Sequence, residues 1–444
     1  MEQTPVSLET IVSLAKRRGF VFPGSEIYGG LAGTFDYGPL GVTLKKNIEA
    51  LWWRMFVEER DDMYGIDAAI LMNPKAWEAS GHVSGFSDPL VECSNCKKRF
   101  REDHLEDRSK CPECGKQGTL GEARQFNMMF NTHAGATEDD TSVVYLRPET
   151  AGGMFVNFKN VVDSAHPKLP FGLAQIGKAF RNEIAPREFI FRVRELEQME
   201  VEYFIRESEW EKEFEMWRTT MHVFARALGI NEHALHELEV EGADLAHYSK
   251  RTIDFEYEYP FGRRELWGLA YRTDFDLLAH QQASGAKLEY LDVETNEKIT
   301  PHVIEPSLGV GRTMLAVLTS AYREDDLGGE KRVYLALPAK LAPTKAMVAP
   351  LLKNKPELVA KAREIRAELR KIHPAIAFDD NGNIGKRYRR QDEIGTPFCI
   401  TIDFDTLGEN PELLDTVTVR NRDTGEQERM SVADVVTLLQ KALT

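Results

Sequence analysis

The stretch that decides the fold spans residues 174–204 and reads AQIGKAFRNEIAPREFIFRVRELEQMEVEYF. Its alternation predicts two strands joined by a loop, because side chains along a strand point to opposite faces with a period of two. On the second strand Leu196, Gln198 and Glu200 share one face, and Met199 and Val201 share the other. The apolar face seeks a core. The polar face, with its carboxylates and nearby arginines, suits an anionic ligand carrying an ammonium group, although alternation alone is also typical of a hairpin with one solvated face.

The composition sets limits on the kind of protein. At 444 residues the chain is long enough for two or three domains. A net charge of −15 argues against a general nucleic-acid binder, but the residues from 332 onward are nearly neutral and allow a local basic patch. The sequence contains no long apolar run and no signal-peptide pattern. It therefore predicts no membrane partner and a cytoplasmic location.

A family resemblance rests first on the hairpin. The segment FRNE at 180–183, followed after a loop by Arg192, Leu196 and Glu200, resembles motif 2 of the class II aminoacyl-tRNA synthetases. It is most similar to the dimeric glycyl-tRNA synthetases, in which this motif reads FRNE…RVREF, and the resemblance runs over nearly the whole chain. It implies an α/β protein. Residues 1–330 would form an α+β catalytic domain with an antiparallel sheet flanked by helices, and residues 331–444 a small α/β anticodon-binding domain.

Periodicity predicts further elements. Helices are expected at residues 7–19 and near 356–372, and residues 209–228 are expected to form a peripheral scaffold helix. Strands are expected at 333–337 and 416–419. Strand and helix then alternate after residue 331, which is typical of a small α/β domain.

An apolar stripe at helical spacing, residues 44–56, predicts a helix after Pro39. The stripe alone is typical of a core helix. The resemblance identifies it as motif 1, which implies a homodimer interface. Adjacent Trp52 and Trp53 are not expected to point into one core, so one of them would face the partner subunit.

Two cysteine pairs form the next motif. Cys93 and Cys96 are separated from Cys111 and Cys114 by 14 residues, from Lys97 to Lys110, which is the spacing of a zinc ribbon. Two disulfides, or knuckles that have lost their metal, are the alternatives. The module is expected to occupy residues 88–120 as an insertion in the catalytic domain.

Three further segments carry the resemblance into the substrate site. RPETAGG at 147–153 is similar to the family's RPETAQG, with Gly152 where glutamine is usual; Glu149 would approach the ammonium of the amino acid or act as a helix N-terminal carboxylate. In ELWGLAYRTDFD, Glu265 would contact a metal or a ribose, while His280 downstream is expected to be structural. EPSLGVGR at 305–312 resembles motif 3, with EPS as the glycyl variant.

The resemblance implies ATP-dependent attachment of glycine to tRNA(Gly) through a glycyl-adenylate, with Mg²⁺ bridging the phosphates and a structural Zn²⁺. In this reading Arg181 contacts the α-phosphate, Arg192 the γ-phosphate, and Arg312 the adenine face and the γ-phosphate, with Glu183 as a fourth catalytic residue. The other residues expected to bind ATP are Asn182, Phe191, Val193, Arg194, Glu195, Leu196, Glu265, Leu266, Gly309 and Gly311. Those expected around glycine are Arg101, Glu149, Leu196, Gln198, Glu200, Glu305, Ser307 and Gly309.

At two positions in these sets the residue itself leaves an alternative to the role that the resemblance implies. Leu196 stands where the family has a phenylalanine that stacks on adenine, which would cost about 1 kcal/mol unless Phe191 compensates. Arg101 follows the first cysteine pair and, by resemblance, points into the glycine site; a solvated arginine is the alternative.

The densest basic cluster consists of Lys386, Arg387, Arg389 and Arg390. The resemblance implies phosphate contacts with tRNA, and a solvated helix face is the alternative. Other functions were weighed against catalysis. A non-catalytic RNA-binding relative would show decay of the motif arginines, and a zinc-ribbon binding protein would need a larger share of the chain. A histidyl or prolyl synthetase would lack the EPS signature.

Overall fold

The buried hydrophobic residues of the described chain form four clusters, and the two largest divide the molecule into a larger and a smaller part. The computed structural model describes residues 6–242, 245–246, 248–293 and 295–443. The larger core includes residues from Ile11 to Ala342, and a second core runs from Ala346 to Leu439. The boundary after residue 330 stays a prediction, since the packing itself changes between Ala342 and Ala346. Among the described helices, none combines the length and apolar character needed to cross a membrane.

The helices follow the order of the chain. They are α1 Leu8–Arg18, α2 Pro39–Trp53, α3 Pro74–Ala79, α4 His82–Gly85, α5 Ala151–Ala165, α6 Trp210–Leu228, α7 Phe275–Ser284, α8 Val310–Ala321, α9 Pro356–Leu369, α10 Ile384–Ile394 and α11 Val432–Leu443. Helix α1 begins at the Ser7 cap and ends at Gly19, whose φ of 74° is the left-handed conformation that glycine adopts without strain. A π-helical turn, Arg54–Glu58, continues α2.

The strands of the larger part come first in the chain. They are β1 Val21–Pro23, β2 Phe35–Tyr37, β3 Met63–Gly65, β4 Ser87–Glu92, β5 Arg99–Arg101, β6 Arg124–Asn127, β7 Asn131–His133, β8 Val143–Tyr145, β9 Phe171–Phe180, β10 Glu195–Ile205, β11 Leu235–Val240, β12 Arg251–Tyr259, β13 Gly262–Thr273, β14 Tyr290–Asp292, β15 Glu297–Ile299, β16 His302–Gly309, β17 Tyr322–Leu327 and β18 Glu330–Leu335. The smaller part adds β19 Ala346–Pro350, β20 Ile376–Phe378, β21 Phe398–Ile402, β22 Thr416–Asn421 and β23 Gln427–Ser431.

A seven-stranded sheet in the order β11-β12-β13-β16-β10-β9-β3 organises the larger part. Its strands pair antiparallel except β3, which runs parallel to β9. Helices α2, α6 and α8 cover one face, and α5 and α7 cover part of the other. The uncovered part of that second face is where the polar residues of β10 and β16 meet. The expected antiparallel sheet flanked by helices is confirmed.

The predicted hairpin is β9 and β10, with Ala179 opposite Leu196 and Gly177 opposite Gln198. The second strand begins at Glu195 rather than at Arg192, because the backbone N–H of Arg194 donates to Gly33 outside the sheet. The face assignment is correct. The polar face is not solvated, however, since α5 and the neighbouring strands leave Glu200 only 2% exposed.

The observed packing differs from two of the predictions made for helices. The segment expected to be peripheral, α6, belongs to the core: Phe214, Trp217 and Phe224 are fully buried against the sheet. In the motif 1 segment Trp52 is buried in the core, and Trp53 packs against Gly65, where a Cβ atom would lie 2.4 Å from its ring. Both tryptophans therefore pack within this chain, and a dimer interface at α2 stays a prediction.

The smaller part is an α/β domain, as expected. Its sheet has the order β20-β19-β21-β22-β23, with β19 parallel to both β20 and β21 and the remaining pairs antiparallel. The predicted helix at 356–372 ends at Leu369 and the predicted strand at 416–419 extends to Asn421, differences at element ends only. The strand expected at 333–337 is β18, which pairs with β17 in a hairpin at the junction of the two parts.

Candidate active site

Two adjoining cavities lie on the open face of the large sheet. The first, which we call the arginine cavity, has a volume of about 140 Å³. It is lined by residues that include Arg181, Glu183, Phe191, Arg192, Val193, Glu195, Leu196, Glu265, Leu266, Gly309, Gly311 and Arg312. The second, the carboxylate pocket, has a volume of about 220 Å³. Arg181, Gln198 and Ser307 line both, so the two cavities share one wall.

Arg181 lies at this shared wall with most of its donors unused. Its Nε donates to the carbonyl of Pro148 at 3.1 Å, and its guanidinium lies 5.6 Å from the centre of the Phe86 ring. Its two terminal nitrogens donate to no protein group in the described residues. Arg192, nearby, also makes no side-chain hydrogen bond or ion pair there. Two guanidinium groups therefore face the arginine cavity ready to bind an anion.

Arg312 opens α8 and closes the other side of the arginine cavity. Its NH1 nitrogen lies 2.9 Å from the Glu265 carboxylate, and its guanidinium lies 4.5 Å from the centre of the Phe191 ring. Burial opposes the charge, but Glu265 outweighs it and raises the pKa of Arg312. Phe191 is held edge-on by Tyr259 and Phe261, with ring centres 5.1 and 5.2 Å away. Beside Leu196, the cavity thus has a fixed aromatic ring.

Two residues expected at ATP face elsewhere. Asn182 and Arg194 line a separate cleft with Leu31 and Phe180. Arg194 donates to the carbonyls of Ala32 and Glu183, so its guanidinium ties the motif 2 loop to the segment before α2. Asn182 is out of phase with Arg181 in the strand alternation, whereas Arg194, which is in phase with Arg192, is turned away by its bonds to Gly33 and Ala32. Neither side chain lines the arginine cavity, so a contact of these two residues with the nucleotide stays a prediction.

Glu200 is the centre of the carboxylate pocket. Its Oε1 accepts from the Ser307 hydroxyl at 2.6 Å and its Oε2 accepts from the Thr150 hydroxyl at 2.5 Å. Gln198 donates a third bond at 3.2 Å. Burial and the charge of Glu149 raise the pKa of Glu200, while the two hydroxyl donors oppose that rise. These contacts fix the orientation of the carboxylate on the pocket floor.

Glu305 faces the same pocket and is held by a buried arginine. Arg272 donates to Glu305 at 2.9 Å and to both carboxylate oxygens of Asp276 at 2.8 and 2.9 Å. Burial raises the pKa of Glu305, and Arg272 opposes the rise. Glu202 lies beside it, fully buried, with neither oxygen hydrogen-bonded within the described residues. Carboxylate oxygens of Glu200, Glu202 and Glu305 lie within 4.8 Å of one another, an arrangement that favours a cation.

Glu149 closes the pocket just before α5. His82 Nε2 lies 3.4 Å from its Oε2. Burial raises the pKa of Glu149, but His82, Arg272 and Arg181 outweigh it and lower the value to about 2. Both expected roles are compatible with this position, since Glu149 lines the pocket and also precedes the helix.

The departure at Gly152 has a physical cause. A Cβ atom there would lie 2.8 Å from the ring of Trp77, which is fully buried. Glycine allows that ring to pack directly on the backbone of α5. The ring of Trp77 therefore occupies the space that a glutamine side chain at position 152 would need.

Arg101 does not line the carboxylate pocket. It pairs with Asp88 at 2.8 Å and with Asp103 at 2.6 Å, at the edge of the three-stranded sheet β5-β4-β6. Both carboxylates belong to the cysteine-containing insertion or its base. The prediction that Arg101 points into the amino-acid site is not supported by this placement.

The four cysteines converge at one point. Cys93 Sγ lies 3.8 Å from Cys114 Sγ, and Cys96 Sγ lies 3.7 Å from Cys111 Sγ. These distances exclude disulfides, whose sulfurs are about 2.05 Å apart. A tetrahedral ion with zinc–sulfur bonds of about 2.3 Å places its sulfurs about 3.8 Å apart. The four thiols therefore fit a zinc ion. Cys399, away from them, is buried in the small domain as expected.

The basic cluster on α10 is mostly engaged within the protein. Arg387 is 1% exposed and donates to the carbonyls of Pro350, Asp380 and Gly382. Arg390 pairs with Asp379, and Arg389 with Glu330. Lys386 is exposed in the first turn. The donors of Arg387 hold the loop before α10, and a phosphate contact of this cluster stays a prediction.

Sequence reasoning missed several residues of the carboxylate pocket. Arg272 and Asp276 form a buried pair four residues apart, a spacing within the quoted YRTDFD segment that could have been noticed. Thr150 follows Glu149 directly, and its role depends on the turn into α5. His82 has no sequence signal, since it reaches Glu149 only through the fold.

Comparison with known proteins agrees with this geometry. The family described as tRNA synthetase class II core domain (G, H, P, S and T) matches residues 133–321, and the family described as anticodon binding domain matches residues 345–442. A protein of Thermobifida fusca named glycine–tRNA ligase is 50% identical, with 98% of each chain covered. Proteins of the same name from Streptomyces coelicolor and Bacillus cereus are 50% and 48% identical, with at least 96% of each chain covered.

Proposed function

The chain belongs to the glycine–tRNA ligases, a family of class II tRNA synthetases, and we propose that it joins glycine to tRNA(Gly) in two steps at the paired cavities. The observation that carries the proposal is the position of Arg181, whose unengaged nitrogens lie where the arginine cavity meets the carboxylate pocket. ATP would occupy the first cavity and glycine the second. The α-phosphate and the glycine carboxylate would then meet beside one guanidinium.

In the first step a carboxylate oxygen of glycine attacks the α-phosphorus, and the bond to pyrophosphate breaks with its electron pair on the leaving oxygen. Arg181 stabilises the negative charge at the α-phosphate and Arg192 that on the departing phosphates. Phe191, Leu196 and Arg312 form the walls for the adenine ring. In the second step a ribose hydroxyl of tRNA attacks the glycyl carbonyl, AMP leaves, and the hydroxyl proton is released.

Mg²⁺ fits the arginine cavity as well. The buried Oε2 of Glu183 has no hydrogen-bond partner in the described residues, and the Glu265 carboxylate lies at the same cavity. These two oxygens would hold the ion. When bound, it supplies positive charge that neutralises the phosphate oxygens. Glu265 would also orient Arg312 through their ion pair.

Selection of glycine follows from the floor of the carboxylate pocket. Glycine has no side chain that could make additional contacts. The pocket therefore has to achieve selectivity by excluding larger amino acids. Glu200, Glu305 and Ser307 would hold the ammonium group, and their fixed hydrogen bonds leave them no freedom to move away from a methyl group. The buried negative charge of the pocket is partly balanced by that ammonium.

Other parts of the proposal concern the whole protein. Zinc would bind Cys93, Cys96, Cys111 and Cys114, and metal analysis of protein purified without chelator should find one zinc per chain; protein free of zinc would contradict it. Thiols held at metal-site distances rather than in disulfides suit a reducing compartment, which supports the cytoplasm.

The expected homodimer is also a proposal. Ile27 and Tyr28 are 89% and 86% exposed in the segment before α2, a degree of apolar exposure that contact with a second copy would remove. Sedimentation velocity checks it: the wild-type protein should sediment as a dimer and an Ile27→Glu, Tyr28→Glu variant as a monomer.

Pyrophosphate exchange with a panel of amino acids tests the function directly. Glycine should support exchange and alanine should not. Glu305→Ala removes a charge-assisted contact worth about 1.5–3 kcal/mol, so exchange with glycine should fall by about one to two orders of magnitude and discrimination against alanine should weaken. Glu289→Ala, an exposed carboxylate, is the control and should change neither. Unchanged glycine kinetics in a folded Glu305→Ala protein would contradict the pocket assignment.

A further inference from the structure

One row of paired residues crosses the open face of the large sheet. Asp254 on β12 lies opposite Gly268 on β13, Gly268 lies opposite Ser307 on β16, and Ser307 lies opposite Glu200 on β10. Residues directly opposite in a sheet point to the same face. With strands about 4.8 Å apart, Asp254 is about 10 Å from Ser307 and about 14 Å from Glu200. The row therefore runs from the glycine-binding floor to a carboxylate beyond it.

The carboxylate pocket is larger than glycine needs. Its lining extends from Glu200 and Ser307 on the glycine-binding floor to residues of β12, which lies two strands beyond β16 in the sheet. The extra room lies over Gly268, where an added Cβ atom would meet nothing within 4 Å. Thr252 and Asp254 line the far side of this room.

Asp254 is half-buried and makes no hydrogen bond or ion pair with the described residues. Burial, with the charges of Glu265 and Glu256, raises its pKa to about 7, and Arg312 opposes the rise. Across the pocket it faces Glu149, Glu200, Glu305 and Arg181. A further anion would be repelled by this set. Neutral hydroxyl groups, which donate to a carboxylate, suit the position better.

We propose that the room over Gly268 binds the ribose diol at the 3′ end of tRNA, with Asp254 accepting a hydrogen bond from one hydroxyl while the other faces the glycyl carbonyl. This inference rests on the proposed function, since the acceptor enters only in its second step. ATP also carries a ribose diol. Its place is the arginine cavity, where Phe191, Leu196 and Arg312 surround the base. Asp254 would therefore position the acceptor without affecting adenylate formation.

The experiment separates the two steps. The full-length enzyme is first loaded with glycyl-adenylate from glycine and ATP in the presence of pyrophosphatase, and then mixed with tRNA(Gly) under single-turnover conditions. Asp254→Ala and Asp254→Leu should slow transfer about 10- to 150-fold, the effect of losing a hydrogen bond to a charged group. Pyrophosphate exchange and the KM for ATP should stay within about twofold of wild type. Glu256→Gln is the matched control, because it lies on the same strand outside the pocket and pairs with Arg263.

A second arm uses tRNA whose terminal ribose lacks the hydroxyl that does not attack. Wild-type enzyme should lose about the same factor with this tRNA as the Asp254 variants lose with normal tRNA. The variants should show no further loss with it, since the hydrogen bond is already absent. Asp254→Leu keeps the approximate shape of the side chain without an acceptor oxygen and remains informative if Asp254→Ala unfolds.

The outcomes distinguish the inference from the proposed function. Normal transfer by a folded Asp254→Leu enzyme would overturn the inference, as would a raised KM for ATP with unchanged transfer, which would assign Asp254 to the ATP ribose. Equal additional loss by variant and wild type with the altered tRNA would also overturn it. The proposed function fails separately, by absence of glycine-dependent exchange in the wild-type enzyme.

Discussion

The two groups of arginines in this molecule look alike in the sequence and differ in what their donors do. Arg181 and Arg192 in the large domain leave most of their guanidinium nitrogens without protein acceptors, at the wall of a cavity. Arg387 in the small domain is almost fully buried, and its donors are taken by three carbonyl oxygens of its own domain. An arginine serves a ligand when it is held in place by few contacts and keeps donors unused. An arginine whose terminal nitrogens are bonded within its own domain, as in Arg387, serves the fold.

Replacing an arginine whose guanidinium nitrogens are not bonded to protein acceptors should strongly reduce catalysis and leave the stability of the fold nearly unchanged. Arg181→Ala is expected to lower the rate of glycine-dependent pyrophosphate exchange about 10²- to 10³-fold, which is about 2.7–4 kcal/mol of transition-state stabilisation. The melting temperature should change little, because the fold loses a single hydrogen bond to Pro148. Arg187→Ala, on the same loop but exposed, is the control and should retain exchange. Exchange within tenfold of wild type in Arg181→Ala would remove the basis of the comparison.

Removing an arginine whose donors are engaged should have the opposite result. Arg387→Ala leaves the carbonyls of Pro350, Asp380 and Gly382 without their donor, so the small domain should lose about 1–3 kcal/mol of stability. Hydrogen exchange at strand 346–350 reports on that domain and should become faster, while pyrophosphate exchange stays normal.

The control for this change is the neighbouring surface pair. Arg389 bonds Glu330, whose side chain is 79% exposed, and such a pair contributes about 0–1 kcal/mol. Arg389→Ala should therefore leave hydrogen exchange nearly unchanged. A stable small domain in Arg387→Ala would return Arg387 to the candidates for tRNA contact.

The same contrast shows how far the sequence reaches. The alternation of β10 correctly separated the polar face of Gln198 and Glu200 from the core face of Met199 and Val201, because strand periodicity is a local property. Asn182 and Arg194 fall within the same motif but line a separate cleft, since the loop turns them away from the arginine cavity. The burial of Arg387 could not be predicted, because nothing in the local sequence reveals that its neighbours offer three carbonyls. Which donors remain free is decided by the tertiary contacts.

The smallest expected effect is at Lys386, the exposed member of the α10 cluster. Lys386→Glu should not reduce stability, because a carboxylate in the first turn of a helix is favourable and the Asn383 side chain still caps that turn. If the exposed face of α10 meets the tRNA backbone, the variant should bind tRNA(Gly) several-fold more weakly. The slope of log affinity against log salt concentration should become shallower by about 0.7–0.9, the value for one phosphate contact. Filter binding over a range of salt measures both, with Lys371→Glu as a control for the same charge reversal elsewhere in the domain. Equal salt slopes for wild type and Lys386→Glu would mean that Lys386 makes no phosphate contact. Because the other three basic residues of the cluster are already bonded within the protein, no member of the cluster would then require a phosphate partner.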